Sequence, residues 1–298
     1  MPLKVTASYK ERVYNAMIEQ RQLFDGSNGS FAKMLGINAS IFTRIHAGER
    51  EGILSPVKWI MLGQKLGVTT EERQWVAART DVFNIIEEDI LFCKAFSKAR
   101  ICVDDCGIGK TYTATYLSRQ VRNCFYLDAS QCKTKFQFVR ALAESIGCDR
   151  SGRHGQIKEI MKIHLQTLDK PIVIIDEAGD LEYAAFLELK ELWNATEHYC
   201  GWYMMGADGL RAKIERGINN RKVGFAEIFS RYSERFTTIV PKEKHERATF
   251  YRKLITDTLV ANKCPADKVT EIVKKCMIND SSFIGGLRRA ESLLLLHS

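Results

Sequence analysis

No two of the nine cysteines are spaced C-x-x-C, and no pair of histidines completes a zinc pattern with them. That argues against a structural zinc site. The odd cysteine count, with several inside apolar runs, reads as reduced core thiols in a reducing compartment. No apolar run approaches the ~20 residues needed to span a bilayer. The first ten residues lack the apolar stretch of a signal peptide. There is no internal repeat and no low-complexity tract. These absences lead to the expectation of a soluble cytoplasmic protein without a membrane partner. The chain has 298 residues and a 45% hydrophobic share, enough for one large packed domain and a small one. Its net charge of +8 favours a polyanionic partner, of which nucleic acid is the commonest.

The pattern along the chain predicts three parts: 1–78, 79–241 and 242–298. The first part reads as helices. Phe31, Met34 and Leu35 share a helical face that Gly36 ends, and Ile41, Phe42 and Ile45 mark a second short helix ended by Gly48. This order resembles the repressor-type helix-turn-helix family, whose second helix enters the major groove. The resemblance implies that Asn38, Ser40, Thr43, Arg44 and His46 face DNA. Residues 79–97 read as a connector. Short β-rich runs at 100–103, 124–127, 171–175, 201–206 and 236–240 then alternate with helical segments at 110–122, 134–146, 154–168, 182–197 and 208–216. Such alternation implies a parallel sheet covered on both faces. After Pro241 the pattern is helical only, over 242–262, 266–277 and 283–296.

The strongest chemical signal is Gly107-Ile108-Gly109-Lys110-Thr111, placed after a strand and at the start of a helix. Glycines let backbone N–H groups turn inward onto phosphate oxygens, and the helix N-terminus adds partial positive charge. Lys110 would reach the β- and γ-phosphates of ATP, and Thr111 would ligate Mg²⁺. One departure stands out: Asp104 occupies the first glycine position of G-x-x-x-x-G-K-[ST], and Asp105 adds a second carboxylate. The second signal is the apolar run 171–175 ending in Asp176 and Glu177. This matches a Walker B strand, in which Asp176 holds the Mg²⁺ shell and Glu177 polarises the attacking water.

From about residue 90 onward, these motifs in this order resemble the AAA+ ATPase family. The resemblance implies an α/β P-loop AAA+ parallel sheet with a helical C-terminal subdomain, here preceded by an all-α helix-turn-helix domain. It implies a sensor 1 role for Asp208, which an ordinary helix N-cap would equally explain. Arg231 and Arg235 in "FSRYSERFTTIVP" fall where the family carries an arginine finger. Arg288 in "FIGGLRRAESLL" matches sensor 2, with Arg289 as its fallback. The boxes "YLDASQCKTKFQFVRALAESIG" and "IIDEAGDLEYAAFLELKELWN" look like transposon target-selection ATPases of the phage Mu transposition protein B type. That resemblance implies an ATP-dependent double-stranded-DNA binder that forms a homo-oligomer, as a helical filament or ring, and activates a DNA transposase. It places Lys133, Lys135, Arg150 and Arg153 in loops that pass DNA. The segment 211–222 adds five basic residues around an expected Gly-Asn turn. Other readings stay open at this point: a helicase loader, an ATP-sensing transcriptional repressor, or a P-loop kinase.

Overall fold

The computed structural model describes residues 5–70, 75–277 and 285–296. Four helices come first: α1 (Ala7–Gln22), α2 (Asn28–Leu35), α3 (Ala39–His46) and α4 (Pro56–Leu66). Their ends follow local chemistry. The Ser27 hydroxyl accepts the Ser30 amide at the start of α2, and Ser55 does the same for Lys58 ahead of Pro56 in α4. Gly36 and Gly67 close α2 and α4 in the left-handed region, at φ 73° and 74°.

The central part runs α5 (Asp81–Phe96), β1 (Ala99–Val103), α6 (Lys110–Gln120), β2 (Cys124–Asp128), α7 (Lys135–Ser145) and α8 (His154–Thr167). It continues through β3 (Ile172–Asp176), α9 (Tyr183–Ala195), β4 (Gly201–Gly206), α10 (Asp208–Asn219), α11 (Phe225–Arg231) and β5 (Phe236–Thr237). Three lid helices follow: α12 (Lys244–Ala261), α13 (Ala266–Met277) and α14 (Leu287–Leu296). The strands form one parallel sheet in the order β2-β3-β4-β1-β5. Alternate residues feed opposite faces, as a two-residue period requires. Val173, Ile175, Trp202 and Met204 join one core; Ile172, Ile174, Tyr203 and Met205 join the other. β1 lies inside the sheet between β4 and β5, so its C-terminal end lies beside the point where strand order reverses, the usual ligand crevice of such sheets. No helix among the described residues is long and apolar enough to cross a membrane.

Several expectations need correction. The supposed connector at 79–97 is a 16-residue helix, α5, whose first turn is capped when Thr80 accepts the Phe83 amide. Its apolar stripe of Val82, Phe83, Ile86, Ile90 and Cys93 packs on the sheet; that spacing was readable as a helix. β5 stops at Thr237 because the amides of Ile239 and Val240 donate to the Asp104 carboxylate instead of to a strand neighbour. The turn expected in 211–222 comes after Gly217, at Asn220 and Arg221, where α10 ends. α10 runs through Gly217, and a Cβ there would lie 2.4 Å from the Phe225 ring. Seven of the nine cysteines are buried, as the apolar runs implied. Burial pushes the thiols of Cys93, Cys102, Cys124 and Cys148 up to about 12.

The N-terminal helices pack directly on the sheet's β2 side. Phe24 meets the edge of Phe125, with ring centroids 6.1 Å apart. Asn123, itself buried, donates to Asp25 Oδ2 at 2.6 Å and accepts the Asp25 amide at 3.0 Å, and the Leu23 carbonyl accepts the Asn123 amide at 2.9 Å. Lys65 bridges to Glu144 of α7 at 2.6 Å. Gly147 permits the closest approach: at φ +83°, an added Cβ would lie 2.6 Å from the Ser30 carbonyl oxygen. We predict that Gly147→Ala lowers stability by about 2 kcal/mol, from left-handed strain plus a backbone clash. Equilibrium urea unfolding checks this; an unchanged midpoint would mean that the helices do not seat there.

Candidate nucleotide site

β1 ends at Val103, and the chain turns through residues 104–109 before α6 begins at Lys110. Gly107 and Gly109 adopt φ of 76° and 101°, which side chains with a Cβ rarely reach. Ile108 between them is buried and anchors the loop to the core. Lys110 is also buried, with Nζ donating to the carbonyls of Asp104 at 2.8 Å and Asp105 at 2.6 Å. Its amine is thus held across the mouth of the loop it must serve. Thr111 follows on the first turn of α6, exposed to the same cavity.

The two carboxylates do not point into this cradle unpartnered. Asp104 is buried, and its carboxylate accepts the amides of Asp105 at 2.7 Å, Val240 at 2.9 Å and Ile239. Asp105 is engaged from the lid, through the Tyr251 hydroxyl at 2.6 Å and Arg247 at 2.5 Å.

Asp176 closes β3, almost wholly buried. Its Oδ1 accepts the Glu177 amide at 2.9 Å and its Oδ2 accepts the Tyr126 hydroxyl at 3.0 Å. Burial and the adjacent Asp176 hold that phenol well above its ordinary range, so Tyr126 stays a proton donor. Glu177 sits at φ 48°, left-handed for a residue with a Cβ, and lines the cavity. Observed strain of this kind concentrates at functional positions. Burial and then the Asp176 charge push the Glu177 carboxyl above the usual carboxylate value, with Lys110 pulling the other way.

The lid completes the walls. The Leu287 amide donates to the Gly107 carbonyl at 2.8 Å, so the start of α14 rests on the loop. Arg288 then faces a cavity of 490 Å³. Lys110, Thr111, Glu177 and Arg288 line that cavity together with the rings of Trp75, Phe83 and Tyr112. A lining that combines cations, a glycine loop and flat apolar rings suits a planar base joined to a phosphate chain.

A protein-family profile described as "AAA domain" matches residues 101–214. The match runs from β1 into α10 and so takes in the phosphate-type loop and the end of β3. No curated protein matches the chain. Among solved structures, the fold is similar to a DNA replication initiation factor, at 12% sequence identity and TM-score 0.44, with 75% of this chain and 62% of that one covered. It is similar also to NtrX from Brucella abortus in complex with ATP, at 12% identity and TM-score 0.41, with 92% and 65% covered. The chain thus spans less than two thirds of the length of either structure.

The remaining sequence candidates are scattered around this core. Asp208 is exposed in the first turn of α10, one residue past the N-cap Ala207, and is not among the residues lining the cavity. Arg231 is held within its own chain: it donates to the Glu227 carbonyl at 2.8 Å and lies over the Trp193 ring. Arg235 is exposed. On α3, Phe42 and Ile45 are buried, whereas Ser40, Thr43, Arg44 and His46 are exposed; Arg44 pairs with Glu49 at 2.7 Å. The Phe136 and His154 rings, 4.9 Å apart, bring the starts of α7 and α8 together, so Lys133, Lys135 and Arg153 share a corner. Lys133 pairs there with Asp180 at 2.8 Å, while Arg150 is tied to Glu144 at 2.5 Å near the end of α7. Sequence reasoning missed Tyr126, Arg247 and Tyr251. Tyr126 and Tyr251 are polar tips among apolar neighbours, Arg247 is one charge in a charged run, and each reaches the site only through the fold.

The raised Glu177 carboxyl generates a prediction for ATP turnover. A proton-accepting role would require Glu177 to be ionised, so in that role activity should fall on acidification at a pH above the ordinary carboxylate range. Glu177→Gln should bind nucleotide yet turn over ~10²-fold to 10⁴-fold more slowly. A steady-state pH–rate profile of both proteins tests this; wild-type turnover in the variant would refute the role.

Proposed function

We propose that the chain is an ATP-dependent, sequence-nonspecific DNA-binding AAA+ ATPase that oligomerises on target DNA and directs a DNA transposase. The observation that carries the ATPase part is the joint lining of one cavity by Lys110, Thr111, Glu177 and the lid residue Arg288. Lys110 binds the β- and γ-phosphates, and the amides of 107–109 take the remaining oxygens. The Thr111 hydroxyl and the Asp176 carboxylate are hard oxygen donors that suit Mg²⁺, which supplies charge neutralisation between the phosphates when bound. Glu177 takes a proton from water, and Arg288 answers charge at the γ-phosphate. Asp208 keeps a sensor role only across a longer reach than the cavity lining itself.

Arg235, free in solvent, is the better finger toward a neighbouring subunit, since Arg231 is occupied at home. DNA contact is supported by the exposed polar face of α3 with Arg44, by the corner of Lys133, Lys135 and Arg153, by Arg150, and by the +8 net charge. The transposase partner rests on the resemblance of the boxes around Asp128 and Asp176.

Random-sequence duplex binding, with and without ATP across a salt series and read with particle size, tests the proposal. Binding should require ATP, weaken steeply with salt and produce long assemblies; Lys110→Ala should lose all three. ATP-independent binding to one sequence would instead indicate a repressor. In the assembled state, Arg235→Ala should keep DNA binding but lose turnover by about a hundredfold or more. Full activity there would remove the finger assignment.

A further inference from the structure

Asp105 lies inside the phosphate loop, two residues before Gly107. Its backbone carbonyl holds Lys110 Nζ at 2.6 Å, so it stands beside the amine that meets phosphate. A carboxylate in that position repels a polyanion. Asp104 escapes the problem through backbone amides, but Asp105 has only its own loop and the lid to answer it. Arg247 meets its Oδ2 at 2.5 Å, and the Tyr251 hydroxyl donates to the same oxygen at 2.6 Å. Both donors come from α12, at i and i+4, with the Arg247 guanidinium over the Tyr251 ring at 5.4 Å.

The position of Arg247 is not explained by its own helix. It lies in the first turn of α12, where a cation opposes the helix dipole. Nor is it needed to seat the lid helix, which Tyr251, Leu254, Ile255 and Leu259 bury against two cores. Its charge-bearing partner is Asp105.

We propose that Arg247 is a charge-compensating residue of the nucleotide site, cancelling Asp105 so that a phosphate loop with two carboxylates accepts a nucleoside triphosphate. The inference rests on the ATP-binding function given above. The pair is partly solvated, at 31% and 27% side-chain exposure, so water already screens some of the repulsion. The effect is therefore moderate, and it grows with the number of phosphate charges.

The test titrates fluorescent ATP, ADP and AMP analogues into the full chain and four variants: Arg247→Ala, Arg247→Lys, Asp105→Asn and the Arg247→Ala/Asp105→Asn pair. Arg247→Ala should lose about tenfold in affinity for the ATP analogue, less for ADP and least for AMP. Arg247→Lys should stay within about threefold of the parent, and the double variant should return to that level, because removing the carboxylate removes the need for the cation. Equal binding by Arg247→Ala and the parent would overturn the proposal. So would a double variant as weak as Arg247→Ala, which would mean that the guanidinium serves lid packing or touches phosphate itself. Absence of ATP binding by the unmodified chain would overturn the nucleotide function, a result distinct from either.

Discussion

A loop that wraps a chain of phosphates tolerates carboxylates only where their charge is taken up by something else. At Asp104 the acceptors are satisfied by the amides of Asp105, Ile239 and Val240. The same bonds end β5 after Thr237 and fix the point from which the chain enters α12. At Asp105 they are satisfied by α12 itself, through Arg247 and Tyr251. A third tie, from the Leu287 amide to the Gly107 carbonyl, brings α14 onto the loop and Arg288 into the cavity. The lid is thus bound to the phosphate loop at its start, along its first helix and at its last. The departure from the common glycine pattern builds the first of these ties; a glycine at 104 would offer no carboxylate to Ile239 and Val240.

Much of this could be read in the sequence, for physical reasons that differ by element. β3 and β4 are buried on both faces, so their unbroken apolar runs mark them plainly. Glycines 107 and 109 must sit at positive φ, so the loop was visible wherever the chain had to turn tightly. By contrast, α5 carries a helical apolar stripe in a segment that reads as a connector, and its packing on the sheet shows the stripe's purpose. The ending of β5 was hidden because it depends on a carboxylate more than a hundred residues earlier, a separation visible in the Asp104 to Val240 bond. Tyr126 and Arg247 were hidden for the same reason: their partners, Asp176 and Asp105, come close only when sheet and lid assemble. Arg231 and Arg235 were both candidates in the sequence, and the Glu227 carbonyl and Trp193 ring that hold Arg231 separate them.

β2 joins the N-terminal helices to the nucleotide site without any intervening flexible element. Phe125 turns toward Phe24 and the core that the N-terminal helices share. Tyr126, the next residue, turns to the opposite face and donates to Asp176. Consecutive residues of a strand must face opposite ways, so one strand carries both contacts. Asn123, immediately before β2, is bonded to Leu23 and Asp25. The Ile172 amide also donates to the Asn123 carbonyl, at 2.9 Å. The turn that receives the N-terminal helices therefore also sets the start of β3, the strand that ends in Asp176. A displacement of α1 or α2 could not leave β2 and β3 untouched, because the bonds between them pass through one buried asparagine. That makes the docking of the N-terminal helices part of the geometry of the Asp176–Glu177 pair, and not a tethered addition to it.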